Sequence, residues 1–298
     1  MAVQNTRLGI WLMVATTAVF AAQDGISRHL ATEYNVMMVV MVRYWFFAAF
    51  VIALAARAPG GVRAAVATRH PWLQVGRGVL LALEICVAVL SFATLGLVES
   101  HAIFAVYPLL IAALSGPILG ERVGWRRWTA IAIGFVGVLV ILQPGGAVFD
   151  AFALVPLGAA FMFALYGLLT RYVGRQDSAS VSLFWTGTAG AVVMTLVGVW
   201  FWEPMGAADW GWMALLCCTG VLGHWLMIRA YEVAEASAVQ PFAYLQLVFS
   251  SAIGVMLFSE ILRPDVMLGT AIVVGAGVFT LIRARKVARV ATPSDKAP

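Results

Sequence analysis

The sequence predicts an all-α membrane protein with ten transmembrane helices, arranged as two inverted five-helix repeats. Three observations lead to this fold class: an apolar composition, a succession of apolar runs of membrane-spanning length, and an internal repeat. Of the 298 residues, 62% are hydrophobic and 11% are charged. Soluble proteins carry about 25% charged residues, so the composition excludes a soluble globular protein. No loop is long enough to form a nucleic-acid-binding domain.

Ten apolar runs follow one another along the chain, separated by short polar segments. A helix needs about 20 residues to cross about 30 Å of hydrocarbon. The predicted spans are residues 8–28, 36–56, 76–97, 101–119, 125–143, 151–170, 180–201, 210–229, 237–259 and 265–283.

The basic residues orient these spans. With the N-terminus inside, sixteen Lys and Arg residues fall on the inner side and two, Arg28 and Arg263, on the outer side. Because basic residues concentrate in cytoplasmic loops, both termini are predicted to lie in the cytoplasm. The predicted location is a bacterial inner membrane.

An internal repeat aligns residues 92–110 with residues 229–247, which pairs Tyr107 with Tyr244. Farther along, residues 119–123 align with residues 258–262 and pair Glu121 with Glu260, although Ser259 stands where the first copy has Gly120. A five-span unit is odd, so its copy enters the membrane from the opposite side, as in many secondary transporters. The repeats are predicted at 1–147 and 148–285, and a disordered basic cytoplasmic tail at 286–298.

These features resemble the drug/metabolite transporter superfamily, in particular its EamA-type ten-helix exporters. The resemblance covers nearly the whole chain. It rests on the five-plus-five layout, the segment LGERV at residues 119–123 and the glycine-rich fifth span AIAIGFVGVLVI. It implies that the two repeats surround a central cavity and that the protein exports amino acids, aromatic ones among them, or related metabolites.

Two titratable residues lie deep in spans that are repeat equivalents and are expected to face each other. At about 1.5 Å of rise per residue, Glu84 lies about 12 Å and His224 about 8 Å from the inner surface. Both side chains can take and release protons, which favours a role at the cavity. The alternative is that each only forms hydrogen bonds with a neighbouring helix.

Asp24 and Arg43 are both predicted to lie about 6 to 10 Å below the outer surface. Opposite charges inside a membrane usually pair, so a structural or gating ion pair between them is expected. Pairing of Asp24 with Arg28, one helical turn away, is the alternative.

Aromatic and polar side chains are expected to complete the cavity lining. Tyr107 and Tyr244 are related by the repeat, and each lies near a proline that perturbs its helix, Pro108 or Pro241. The other predicted lining residues are Tyr166, Trp185, Trp225 and Gln246. Ordinary helix packing is the alternative for each.

The leading interpretation is a secondary transporter that exports a small metabolite by alternating access. The sequence contains no catalytic, metal-binding or nucleotide-binding motif, so no enzyme activity, cofactor or metal is predicted. A membrane-embedded enzyme using Glu84 and His224, or a passive channel, is the competing interpretation. The expected partners are a small-molecule substrate, the lipid bilayer and, if transport is coupled, protons. The expected assembly is a monomer or homodimer, without nucleic acid.

Overall fold

The computed structural model describes residues 5–120, 124–142, 152, 154–174, 176–234 and 240–291, and all regular structure in these ranges is helical. The helices of the first half are α1 (Thr6–Glu33), α2 (Val36–Arg57), α3 (Gly61–Val66), α4 (Pro71–Leu95), α5 (Leu97–Phe104), α6 (Tyr107–Leu119) and α7 (Trp125–Leu142). Those of the second half are α8 (Leu154–Val173), α9 (Ala179–Gly198), α10 (Ala207–Val233), α11 (Leu245–Phe258) and α12 (Pro264–Ala291). Short 3-10 turns occupy Val199–Phe201 and Gln240–Tyr244.

The polar residues between the apolar runs begin the helices. Asn5 accepts a hydrogen bond from the Leu8 backbone N–H at 3.0 Å, and Asn35 accepts one from that of Met37 at 2.9 Å. Ser178 does the same for α9, and Pro71 opens α4. Side-chain oxygens at these positions satisfy backbone donors that the helix leaves unpaired. The short interruptions in the sequence are therefore helix caps.

The helices confirm the predicted all-α membrane fold. Seven helical segments are long and apolar enough to cross a bilayer: 6–33, 36–57, 71–95, 97–119, 154–173, 179–201 and 207–227. Three shorter apolar helices, at 128–142, 242–258 and 264–279, occupy the remaining predicted spans. Large apolar side chains such as Leu196, Val192 and Met256 are exposed on the outer faces of the helices, where a bilayer would cover them.

The helix pairings follow the internal repeat. The fifth span packs on the tenth (α7 on α12), and the second packs on the seventh (α2 on α9). The first span packs on the eighth (α1 on α10), as the sixth packs on the third (α8 on α4). The repeat relates the first two of these pairings to themselves. It relates the pairing of the first and eighth spans to that of the sixth and third. This symmetry is expected of two inverted repeats.

Both copies also interrupt the same span at the same place. In the fourth span α5 ends at Phe104 and α6 begins at Tyr107, and in the ninth a 3-10 turn ends at Tyr244, where α11 begins. Pro108 and Pro241 cannot donate a backbone hydrogen bond, which explains both interruptions.

Two segments add to the sequence predictions. Helix α12 continues to Ala291, past residue 286, where the predicted tail begins. Arg77, counted from the sequence among the basic residues of the inner side, lies in the second turn of α4 and is 1% exposed. Glu121 lies outside the described residues, so its pairing with Glu260 remains a prediction.

Candidate functional site

A cleft opens between α2 and α10, beside α4. The residues around it mix aromatic rings with polar groups, and they include Arg43, Tyr44, Phe47, Gly220, Val221 and His224. Ile85, the residue after Glu84 on α4, closes one side. Its lining is mostly apolar with a few polar groups, as in many small-molecule sites. In this structure the cleft has room for only about one water molecule, so a substrate needs a conformation in which the cleft is wider.

Arg43 supplies the positive charge of the cleft. Its side chain is 8% exposed, and among the described residues no hydrogen bond or ion pair reaches its guanidinium. Gly220 allows it to enter: a Cβ at that position would lie 3.3 Å from Arg43 Nε and 3.4 Å from Gln23 Oε1. The Gln23 carbonyl oxygen and the Tyr44 hydroxyl are also buried without hydrogen-bond partners in the described part of the chain.

Glu84 is a buried ionisable group close to Arg43. Its side chain is 4% exposed and interacts electrostatically with Asp24 and with Arg43. Within the described ranges, no hydrogen bond joins its carboxyl group to a neighbouring helix. The cleft lining includes its neighbour Ile85 and not Glu84 itself.

His224 lies in the same cleft, as a partly buried ring. It stacks on Phe47 with ring centres 5.9 Å apart and meets Phe20 edge-on at 5.3 Å. Arg43 interacts electrostatically with both His224 and Glu84. The two residues predicted from the sequence to face each other are thus linked by a third, Arg43.

The predicted Asp24–Arg43 ion pair is not formed in this structure. Asp24 Oδ2 lies 3.0 Å from His101 Nε2 and accepts a hydrogen bond from Gln246 Nε2 at 2.9 Å. Arg28, the alternative partner, pairs with Glu260 instead. Charge and depth could be estimated from the sequence, but the direction in which each side chain points depends on how the helices are rotated, which sequence depth does not give.

Glu260 joins three spans at the end predicted to face outward. Its carboxylate accepts hydrogen bonds from the Leu97 and Val98 backbone N–H groups at 2.8 and 2.7 Å, at the start of α5. Gly96 makes room, because a Cβ there would lie 2.7 Å from the carboxylate. The Arg28 guanidinium that binds Glu260 also lies 4.1 Å above the Phe258 ring.

His101 was not recognised from the sequence as a candidate. Its side chain is 3% exposed and bridges Asp24 on α1 and Ser250 on α11. His101 could have been found in the same way as Glu84, because it too is an ionisable residue in an apolar run.

The remaining predicted lining residues are spread over the molecule. Gln246 binds Asp24. Tyr166 is an electrostatic neighbour of Tyr44 and binds Arg77 through its hydroxyl. Trp185 donates a hydrogen bond to the Val66 carbonyl near α3, and Trp225 is 50% exposed, facing away from the core.

The repeat-related tyrosines pack between helices. Tyr107 contacts the Phe104 and Phe163 rings, with centres 5.3 and 5.0 Å away. Tyr244 lies against α12, where a Cβ on Gly277 would collide with its hydroxyl. Their predicted position at the cavity stays a prediction.

A second polar cluster lies at the end predicted to face the cytoplasm. Arg77 donates hydrogen bonds to Gln74 Oε1 at 2.7 Å and to the Ser182 carbonyl at 2.6 Å, and Gln74 donates to Asp177 at 2.8 Å. Burial alone would raise the pKa of Asp177. Hydrogen bonds from Thr68, Gln74 and the Arg69 backbone outweigh it and hold that pKa below its usual value.

The fold and this cleft define an integral membrane protein with buried charges at the contact between its two repeats. The model of the EamA-like transporter family matches residues 7–143 and 151–282. The chain belongs to this family, and it is a membrane transporter.

Relatives of known function match along most of their length. A riboflavin transporter of Vibrio cholerae is 28% identical over 91% of this chain and 91% of its own. An S-adenosylmethionine uptake transporter of Rickettsia prowazekii is 24% identical over 93% and 94%. A pseudopaline exporter of Pseudomonas aeruginosa is 24% identical over 71% and 72%. A solved crystal structure covers 95% of this chain and 98% of its own with a TM-score of 0.62 at 18% identity, which shows a shared fold.

Proposed function

We propose that this protein is a secondary transporter of a small amphipathic metabolite that carries both an anionic and a cationic group, such as an amino acid or a related zwitterion. One observation carries the proposal: Arg43 is buried in the lining of a cleft between the two repeats without a hydrogen-bond partner among the described residues, and Glu84 is buried within its electrostatic reach. In this assignment Arg43 binds the carboxylate of the substrate and Glu84 its cationic group.

Burial of a charge without a partner is unfavourable by several kcal/mol. A zwitterion entering the cleft would give each charge an opposite partner. The Tyr44 hydroxyl and the Gln23 carbonyl oxygen add an unused donor and an unused acceptor. These four groups would fix the polar end of a substrate, and the aromatic rings would contact its apolar end.

The named relatives support an amphipathic substrate. S-adenosylmethionine combines a carboxylate with cationic groups and a planar base, and riboflavin combines a planar ring system with a hydroxylated chain. Their names include both uptake and export, and a secondary carrier runs in either direction according to its gradients. Export by this chain stays the prediction drawn from its family resemblance.

A neutral planar substrate of the flavin class is the second candidate. The aromatic side of the cleft favours it, because Tyr44, Phe47 and His224 would offer ring faces to a flat molecule. The buried guanidinium of Arg43 argues against it, since a neutral ring would leave that group without a hydrogen-bond acceptor.

The proposed setting is the inner membrane, with both termini in the cytoplasm and a monomer or homodimer as the unit. Energy would come from a proton gradient or from the substrate gradient, since the chain has no nucleotide-binding motif.

Counterflow in vesicles containing the purified protein tests the proposal. The vesicles are loaded in turn with L-phenylalanine, S-adenosylmethionine or riboflavin, and entry of the same labelled compound is followed. Saturable counterflow of a zwitterion supports a carrier of the proposed class. Chemical conversion of the probe would indicate an enzyme, and unsaturable flux a channel.

A further inference from the structure

We infer that Asp24 and His101 form a proton-binding site whose protonation controls the contact between α1 and the interrupted fourth span. The inference rests on the proposed function only in assigning this proton to a transport cycle. The geometry of the hydrogen bonds around the His101 ring carries it.

The two ring nitrogens of His101 both face oxygen atoms that accept hydrogen bonds. Nδ1 lies 3.0 Å from the Leu97 carbonyl oxygen, and Nε2 lies 3.0 Å from Asp24 Oδ2. A carbonyl oxygen can only accept, so Nδ1 carries a hydrogen. The contact between Nε2 and Asp24 needs a second hydrogen, held by the imidazolium or by the carboxyl group. Either form has one proton more than a neutral histidine beside a carboxylate.

Loss of that proton breaks one of the two contacts. If Nδ1 keeps the remaining hydrogen, two lone pairs face each other between Nε2 and Asp24. If Nε2 keeps it, the same conflict arises between Nδ1 and the Leu97 carbonyl. Only the protonated pair therefore satisfies both contacts of the ring with a hydrogen bond.

Neighbouring groups on α11 provide partners for the deprotonated state. Ser250 Oγ lies 3.2 Å from His101 Nε2 and can donate its hydrogen to the bare nitrogen. Gln246 continues to donate to Asp24. On deprotonation, His101 would thus exchange its hydrogen bond to Asp24 on α1 for one from Ser250 on α11. This exchange would release the contact between α1 and α5. His101 lies one turn before the interruption that ends α5 at Phe104, a place where the span can bend.

The pair is enclosed. His101 and Asp24 are 3% and 7% exposed, and the His101 ring stacks on Phe92 with centres 4.9 Å apart. Asp24 interacts electrostatically with Glu84, which connects the pair to the cleft. The charged or titratable groups nearest this region on α1 and on the elements packed against α1 and α5 include Arg28, Arg43, Glu84, Glu99, His224, Glu260 and Arg263.

Proton counting on the purified full-length protein in detergent tests the inference without any substrate. Wild type and the double variant Asp24→Asn/His101→Gln are titrated from about pH 5 to about pH 9, the range in which histidine titrates. Wild type is expected to release about one proton more than the double variant. The variant Trp225→Leu is the control, because Trp225 is 50% exposed, carries no titratable group and is not part of the pair. Equal proton release from wild type and the double variant would overturn the inference.

A second measurement needs no folded variant at the pair. Nitrogen NMR of wild type labelled with ¹⁵N-histidine is expected to show Nδ1 of His101 protonated throughout the titration and Nε2 changing with pH. An Nε2 that stays protonated over the whole range would identify a fixed structural pair and overturn the inference. Counterflow without a pH gradient reports separately on the proposed function, so either proposal can fail alone.

Discussion

At the scale of single residues, three charged side chains are buried inside apolar helices, and their contacts join different spans. Asp24, Arg43 and Glu84 were identifiable because each is a charge inside an apolar run. Their contacts were not, since a rotation of one helix by a single residue position, about 100°, turns a side chain to another neighbour. Asp24 therefore binds His101 although Arg43 was at the right depth.

Glu84→Gln tests whether this carboxylate stabilises the fold. No hydrogen bond to it exists among the described residues, so the thermal unfolding temperature of the variant is expected to be unchanged or higher. The amide keeps the shape of the side chain, and it removes both the burial cost of a carboxylate and its repulsion from Asp24, which offset the lost attraction to Arg43. The temperature is measured in detergent with Trp225→Leu as an exposed control. A clear fall for Glu84→Gln alone would indicate a structural role.

Asp177→Asn tests the inner polar cluster. The hydrogen bonds to Asp177 hold its pKa below the usual value in the folded protein. The ionised carboxylate therefore stabilises the fold at a pH above the pKa of an unfolded aspartate, about 3.9. This stabilisation is lost as the pH falls through the pKa of the folded state. We expect the variant to lose about 1 kcal/mol of stability near neutral pH, the net value of such a hydrogen bond. Denaturant unfolding at several pH values measures this. A loss that persisted unchanged at about pH 3 would contradict the assignment.

At the scale of elements, the repeat predicted both interruptions but not the identity of their caps. Gly120 ends α6 with φ +72°, and Ser259 ends α11 with φ +55° at the equivalent position. The second copy thus keeps the backbone turn although its residue has changed. The sequence difference was visible, but the retained conformation could be seen only in the structure.

A reciprocal exchange of these caps tests the turn. Ser259→Gly is expected to raise stability by about 1 kcal/mol, because a residue with a Cβ pays about 1 to 2 kcal/mol in the left-handed region. Gly120→Ser should lower stability by a similar amount, since no atom lies within 4 Å of a Cβ there and only backbone strain is added. Thermal unfolding of both variants gives the values, and shifts of the same sign would contradict the shared turn.

At the scale of the whole molecule, the all-α membrane fold could be predicted from hydropathy and the repeat, because both depend on averages over many residues. The pairing of individual helices could not, since it depends on which faces meet. The position of the cleft likewise depends on a few contacts between α2, α4 and α10. His224 therefore lines the cleft in the structure, whereas Trp225, the next residue of the same helix, faces away from it.

The predicted orientation can be measured on single cysteines in a background without Cys86, Cys217 and Cys218. A cysteine at Gly206, exposed before α10, is expected to react with a membrane-impermeant maleimide in intact cells. One at Gln176, exposed between α8 and α9, should react only after permeabilisation. The reverse pattern would contradict cytoplasmic termini.

The central claim, that Arg43 and Glu84 form the transport site, is tested most directly by counterflow of a zwitterionic probe through Arg43→Gln. The probe is whichever of L-phenylalanine and S-adenosylmethionine wild type exchanges, and Trp225→Leu serves as the folded control. A bidentate contact between a guanidinium and a carboxylate is a strong charge-assisted hydrogen bond. Loss of this contact is expected to reduce the apparent affinity for the probe at least about tenfold, which corresponds to about 1.4 kcal/mol of binding free energy. Trp225→Leu is expected to keep the wild-type affinity. Counterflow through Arg43→Gln at wild-type affinity, in protein that folds to wild-type yield, would contradict the account.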